Sequence, residues 1–160
     1  MKRMLELALA LAWLGAGMAR AAEPVGLAFA GIAVPPAMEI DGEMNRVFAG
    51  ELAARGIEVH FVSSLAGSSR PEPSAAFCGE ARVDRTARAN VRSLRGDSPV
   101  TEVVSFARCS LSIWRYDAED PPETLFSDSV VVPLTGDPPE LVPAVPVALA
   151  ERIAAVLDTE

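Results

Sequence analysis

The clearest hydrophobic pattern in the chain runs from Val103 to Val132 and predicts a β-hairpin. Two arms, 103–116 and 124–132, are rich in β-branched and aromatic residues and flank a polar turn with two consecutive prolines. Such arms on either side of a proline-bearing turn are typical of paired antiparallel strands. No catalytic motif stands out elsewhere, so the pattern indicates a fold more clearly than an activity.

The region before this hairpin predicts a β-α-β unit. Residues 25–34 form a nearly continuous apolar run, which favours a buried strand. Residues 41–56 predict a helix, because Asp41 can cap its start and Gly56 can close its end. Residues 57–62 alternate between apolar and polar side chains and predict a second strand, parallel to the first. The apolar positions on one helical face are Met44, Val47, Phe48 and Leu52.

Residues 80–95 fit two templates. As a strand, the segment alternates apolar and polar positions, and only Arg85 breaks the alternation. As a helix, it has an apolar side opposite a row of arginines. We interpret it as a strand, because residues 95–99, Arg-Gly-Asp-Ser-Pro, then form a turn into the next strand. The inward positions of that strand would be Ala81, Val83, Ala87, Ala89 and Val91.

The last element is a helix over 146–157, with an apolar stripe and Pro146 in its first turn. Residues 63–76 are rich in Ser, Gly and Pro and predict a surface loop. The predicted fold is therefore α/β in the broad sense (α+β), in the order β-α-β-β-β-β-α. It has one mixed sheet of about four to five strands, with the helices mainly on one face.

This order, with a meander arm that reads Phe-Ser-Asp-Ser-Val-Val-Val-Pro at 126–133, resembles small periplasmic envelope domains of the TolB amino-terminal or curli-assembly type. The resemblance covers most of the chain at the level of pattern. It implies docking with other envelope proteins rather than catalysis, and it transfers no functional residue.

The first 21 residues predict a secretory signal peptide. A basic start is followed by an apolar run from Leu7 to Leu14 and by the small-x-small site Ala19-Arg20-Ala21. We expect cleavage to leave residues 22–160 as a single domain, periplasmic or secreted, without a membrane span. The remaining chain would carry a net charge of −10, which disfavours nucleic acid as a partner.

Two cysteines, Cys78 and Cys109, are the only ones in the chain. In an oxidising compartment, a lone pair of cysteines usually forms a structural disulfide. Redox dithiols normally sit as Cys-x-x-Cys, whereas these two are 31 positions apart. We therefore predict a Cys78–Cys109 disulfide rather than a redox site.

The residues available for catalysis are few. His60 is the only histidine, so a zinc site of the usual Cys/His type cannot be assembled, and a Ser-His-acid triad could use only this residue. No nucleotide-binding motif appears, and we expect no metal and no cofactor. A second hypothesis is a small-ligand module or an unrecognised hydrolase, with a pocket near Asp41, Glu43 and His60 at the carboxyl ends of the parallel strands.

The favoured hypothesis is a non-catalytic interaction protein that docks through an open sheet face or an edge strand. On strand 103–116, alternate positions carry a second set of large side chains that the helices would not cover. Such residues are enriched in binding surfaces. The partner would be an envelope protein or a second copy of the chain. The predicted contact residues are Phe106, Arg108, Trp114 and Tyr116.

Overall fold

The structure, a computed structural model, describes residues 24–63, 75–116 and 122–159. The predicted signal peptide, most of the predicted loop 63–76 and the acidic turn 117–121 lie outside these residues. Six strands and two helices are present in the described ranges. They are β1 (Val25–Val34), β2 (Glu39–Ile40), α1 (Gly42–Ala53), β3 (Ile57–Phe61), β4 (Phe77–Arg95), β5 (Ser98–Arg115), β6 (Glu123–Leu134) and α2 (Ala144–Leu157).

All six strands belong to one mixed sheet. β1 lies parallel to β3 on one side and to β4 on the other, while β4, β5 and β6 form an antiparallel meander. The two-residue strand β2 pairs antiparallel with the end of β1. The predicted mixed-sheet α+β architecture and its element order are confirmed. The sheet has slightly more strands than expected, because β2 is too short to show a period in the sequence.

Both helices pack on the same face of the sheet and form the main core with it. Phe29 of β1 and Phe48 of α1 are fully buried, with ring centroids 4.5 Å apart. On α2, Leu149 and Ile153 are fully buried in the same cluster. This face takes alternate residues of every long strand, so the opposite face receives the others.

The ends of α1 follow the sequence signals. The Asp41 carboxylate accepts a hydrogen bond from the backbone N–H of Met44 at 2.9 Å, which caps the helix. Gly56 adopts a φ of 77°, a left-handed conformation that lets the chain leave the helix and enter β3. The closing helix begins at Ala144, two residues before the predicted start, and Pro146 lies in its first turn as expected.

The ambiguous segment 80–95 is a strand, as predicted, and it pairs antiparallel with β5 over its whole length. One part of the prediction is wrong, however. The register shifts between Val83 and Arg85, so that Asp84 forms a β-bulge. Because one extra residue exchanges the two faces, the later apolar positions do not point inward with Val83. The residues moved to the opposite face are Ala87, Ala89 and Val91.

The outer parts of β4 and β5 extend beyond the rest of the sheet. The pairing of β1 with β4 ends at Arg82, and that of β6 with β5 ends at Ser105. β4 therefore has a free outer edge beyond Arg82, and residues 89–104 form a two-stranded ribbon, closed by a tight turn with Gly96 at a φ of 67°. An isolated two-stranded hairpin is only marginally stable in water, so this ribbon depends on its continuity with the body.

Replacement of Gly31 by alanine is expected to destabilise the fold by about 2 kcal/mol or more. Gly31 has a φ of 94°, and an added Cβ would lie 2.8 Å from Cγ2 of Ile40 and 3.0 Å from Nδ2 of Asn45. The matched control is Gly50→Ala within α1, where nothing lies within 4 Å of an added Cβ. That change should instead stabilise by about 0.5–1 kcal/mol. Urea unfolding of the two variants measures both; equal midpoints would contradict the geometry at Gly31.

Candidate docking face

The face of the sheet opposite the helices is called the open face here. Phe106, Arg108 and Trp114 project onto it from alternate positions of β5, and Tyr116 follows on the same side just after the strand. The four residues predicted as a contact surface therefore share one face. They do not form a continuous row, because Ser110 and Ser112 stand between Arg108 and Trp114.

Hydrogen bonds between side chains occupy the centre of the open face. The Ser110 hydroxyl donates to Oδ2 of Asp84 at 2.6 Å. Arg108 donates from Nε and from one terminal guanidinium nitrogen to Oγ of Ser129, at 3.1 and 3.0 Å. The hydroxyls of Ser112 and Ser127 lie 3.1 Å apart. This polar centre divides the predicted aromatic surface into two ends.

Asp84, the bulge residue, is the main charged group of the polar centre. Burial pushes the pKa of its carboxyl upward, but hydrogen bonds from Ser110 and Arg82 act in the opposite direction. The positive charges of Arg82 and Arg108 add to that effect, and the net result is a pKa below the usual value. The carboxylate is thus held ionised, and its role is to tie β4 to β5 at the bulge.

A groove of about 450 Å³ lies over the polar centre, near the end of β1. Met38 and Ile40, both exposed, line the side near β2, and the serines of β5 and β6 are among the other lining residues. It therefore combines an apolar side with hydroxyl groups. The described charged residues that line it are Glu80 and Arg82.

Trp114 and Tyr116 are partly buried at one end of the open face. They pack against a small second cluster formed by Ala28, Ala75 and Cys78. The prediction that they are uncovered therefore holds only in part. Because Trp114 contributes to this cluster, its truncation would remove packing as well as contact area.

The other end of the open face continues onto the ribbon, and this was not predicted. Phe106 lies opposite Ala87 on one side and Pro133 on the other, and Val104 lies opposite Ala89. We call the apolar side chains at this end the ribbon stripe; they are Ala87, Ala89, Val91, Val100, Val104, Phe106, Val131 and Pro133. Val91 and Val131 are 46% and 62% exposed. The interruption of the alternation at Arg85 was the sequence signal for this arrangement.

The predicted disulfide is wrong. Cys78 and Cys109 are both free thiols and both buried. In the register of β4 and β5, Cys109 lies opposite Val83, five positions along β4 from Cys78. That offset is about 16 Å along the strand, whereas a disulfide needs Cα atoms within about 7 Å. The two side chains also lie on opposite faces, since Cys109 belongs to the main core and Cys78 to the small cluster.

The environment of each thiol makes it a poor nucleophile. Burial raises the pKa of the Cys78 thiol. Burial, with a smaller contribution from the negative charge of Asp84, raises the pKa of the Cys109 thiol to about 11. Since the thiolate is the reactive form, neither cysteine is poised for nucleophilic or redox chemistry.

Within the described residues, the structure does not bring Asp41, Glu43 and His60 together as the predicted pocket requires. His60 lies on β3 opposite Ala28, which faces the open side, whereas Glu43 belongs to α1 on the covered side. A cavity at the β1–β2 turn includes Asp41 but neither of the other two residues. His60 instead lies beside Glu58 of the same strand, with Nε2 and Oε1 3.8 Å apart. Asp41 is already used as a helix cap.

Within residues 24–63, 75–116 and 122–159, no three His, Cys, Asp or Glu side chains come together in a group that could hold a metal ion. In those same ranges neither helix has the length and hydropathy needed to cross a bilayer.

No family model matches this chain, and no curated protein matches it. Among solved structures, the hypothetical protein CT253 from Chlamydia trachomatis aligns with a TM-score of 0.49 and 9% identity, over 85% of this chain and 99% of the other. A neuraminyllactose-binding hemagglutinin homolog from Helicobacter pylori aligns with a TM-score of 0.40 and 9% identity, over 87% of each chain. A minor lipoprotein from Acinetobacter baumannii aligns with a TM-score of 0.30 and 12% identity, over 85% of this chain and 94% of the other. These values assign neither a family nor a function.

Both cysteines are expected to be unmodified thiols in protein purified without reductant. Denaturation followed by alkylation should add two groups by mass spectrometry, because the sheet register keeps the sulfur atoms apart. In the folded protein, alkylation near pH 8 should be slow, since both thiols are buried and protonated. Alkylation that appears only after reduction would show a disulfide and contradict the register.

The pKa of the Asp84 carboxyl is expected to lie below that of an ordinary aspartate, and Ser110→Ala should raise that midpoint by removing a donor. Because the folded-state pKa is the lower one, the stabilisation is present above the unfolded pKa and is lost as the pH falls through the folded value. Carbon-detected NMR titration measures the midpoint. Ser127→Ala, which leaves Asp84 untouched, is the control; an unchanged midpoint in Ser110→Ala would refute the proposed role of this bond.

Proposed function

We propose that this protein is a non-catalytic accessory protein of the bacterial envelope that acts in the periplasm and docks through the open face. The observation that carries the proposal is the ribbon stripe, an apolar surface on the side that neither helix covers. Uncovered apolar side chains with a rigid strand scaffold suit a protein contact, because they offer area at a small cost in conformational entropy.

The cellular location in this proposal rests on the sequence. The signal-peptide pattern at residues 1–21 supports export, and the resemblance to TolB amino-terminal and curli-assembly domains supports an envelope role. Both remain predictions. The acidic composition supports a protein partner over a nucleic acid, since the chain has a formal net charge of −8 before any processing.

The arrangement of polar groups supports docking rather than catalysis. The serines and arginines of the polar centre are satisfied by one another, and both thiols are buried with raised pKa values. His60 stands beside Glu58 on a half-exposed strand, with no described serine or cysteine bonded to it. The Ser110 hydroxyl donates to the Asp84 carboxylate, but the pKa of that carboxyl lies below its usual value, which makes it a weak general base.

The ribbon supplies a matched pair of positions for testing this function. Val104 projects to the open side and belongs to the ribbon stripe, whereas its neighbour Val103 projects to the other side and is 65% exposed. The two residues share a strand, a side-chain type and a distance from the body. A change at one or the other alters a different face, but Val104 is half-buried and Val103 is exposed, so the folding of both variants has to be compared.

Photo-crosslinking in a bacterial envelope tests the proposal directly. A benzoylphenylalanine placed at Val131 on the open face is expected to form discrete adducts, and one placed at Val103 is not. Val104→Asp should reduce the yield from position 131 by about tenfold or more, as loss of a contact hot spot would, while Val103→Asp should not. Thermal unfolding of both aspartate variants controls for folding.

Two results would decide against this function. Equal adduct yields from positions 103 and 131 would show that the contact is not specific to the open face. The absence of adducts from both positions would show that no partner docks there. An adduct of twice the mass of the chain would identify the partner as a second copy.

A further inference from the structure

The outer edge of β4 in the ribbon is a second unpaired feature, distinct from the open face. β1 stops pairing with β4 at Arg82, so no described strand lies along the side of β4 away from β5 between Arg85 and Arg95. An edge strand presents unpaired backbone N–H and C=O groups that can accept another strand. This edge is about 35 Å long at 3.3 Å per residue.

The charged residues of β4 along this edge are all positive. Between Arg85 and Arg95 every charged residue is an arginine, namely Arg85, Arg88, Arg92 and Arg95. Arg88 donates to Asp137 at 3.0 Å, and both groups remain largely exposed. The concentration of positive charge contrasts with a chain whose formal net charge is −8. Such a local reversal attracts an acidic partner.

The arginines lie on both sides of the ribbon. After the bulge, odd positions of β4 face the open side and even positions face the other, as the pairing of Ala87 with Phe106 and of Thr86 with Ala107 fixes. Arg85 and Arg95 are therefore on one side, and Arg88 and Arg92 are on the other. A flat anionic surface such as a lipid bilayer would meet only one of these pairs at a time.

An added strand reaches both sides at once, because its own side chains alternate between them. A second copy of the ribbon is a poor occupant, since pairing β4 edge to β4 edge would set arginine against arginine. Like charges directly opposite each other destabilise strand pairing. The occupant that fits both the edge and the charge is an extended, acidic protein segment.

We propose that the β4 edge from Arg85 to Arg95 binds an extended acidic segment of a partner protein by strand addition. Backbone hydrogen bonds along the edge would supply register, and arginine–carboxylate pairs on both sides would supply selectivity. The inference adds a second contact to the proposed docking function and names the chemistry of the segment that would make it. It also gives the marginally stable ribbon a third strand.

Fluorescence anisotropy with a synthetic peptide tests the inference. The probe is a labelled twelve-residue peptide of three Glu-Glu-Val-Val repeats, which places carboxylates on both sides of an extended strand. We expect saturable binding to the full mature chain. Arg92→Gln with Arg95→Gln, one residue from each side, should weaken it by about tenfold or more, because exposed ion pairs that act together add to the affinity.

Two controls separate strand addition from general charge attraction. Arg46→Gln with Arg55→Gln removes the same charge from α1 and its end, and it should change the affinity by less than about twofold. The same peptide with every backbone nitrogen methylated keeps its charge but cannot donate to the backbone ladder from either edge, and it should not bind.

Three results would overturn the inference. Equal binding of the methylated peptide would reduce the contact to unspecific charge attraction, and absence of binding by the unmodified peptide would remove the site. Sedimentation of the chain with phosphatidylglycerol vesicles, lost in the Arg92/Arg95 variant, would assign the arginines to a membrane. If the peptide does not bind while crosslinking from Val131 persists, only this inference is contradicted. If crosslinking is absent while the peptide binds, only docking through the open face is contradicted.

Discussion

The packing of both helices on one face of the sheet is the constraint from which the remaining features follow. Phe29 and Phe48 join the central strand to α1 with their rings 4.5 Å apart, and α2 completes the cover through Leu149 and Ile153. Arg152 lies over the ring of Phe126 at 4.5 Å and holds α2 against β6. The apolar residues on this side form the complete main core. The side chains of the open face must then form hydrogen bonds with one another or contact a partner.

The bulge at Asp84 determines how that open face is divided. One additional residue in β4 exchanges the faces of everything beyond it, so apolar positions that continue the core pattern in the sequence project to the opposite side. The same residue accepts hydrogen bonds from Ser110 and Arg82, which hold the bulge in place. A single position thus links the polar centre to the apolar ribbon stripe.

Much of this fold could be predicted because the signals were local. The Asp41 cap, the left-handed Gly56 and the alternation of 103–116 are short-range patterns with direct structural meaning. The common side of the four predicted contact residues followed from the pleat alone. The coverage of Trp114 could not be predicted, because it depends on how β1, β4 and β5 associate.

The errors came from non-local geometry. Two cysteines in an otherwise ordinary chain suggested a bond, but strand register and face decide whether sulfur atoms meet, and here both keep Cys78 and Cys109 apart. The exchange of faces beyond Asp84 was visible only as an interruption at Arg85. An interruption in a period can mark a bulge or simply a variable surface position, and only the pairing partner distinguishes them.

The central claim is that the open side of the ribbon, and not its opposite side, meets a partner. Methyl NMR measures this most directly, with alanine and valine methyl groups labelled in a chain of residues 22–160 and unlabelled periplasmic extract added. The account predicts that the signals of Ala89, Val91 and Val104 shift or broaden, while those of Val103 and of Val145 in the core stay unchanged. Perturbation of Val103 alone, or of no methyl group in the ribbon, would contradict it.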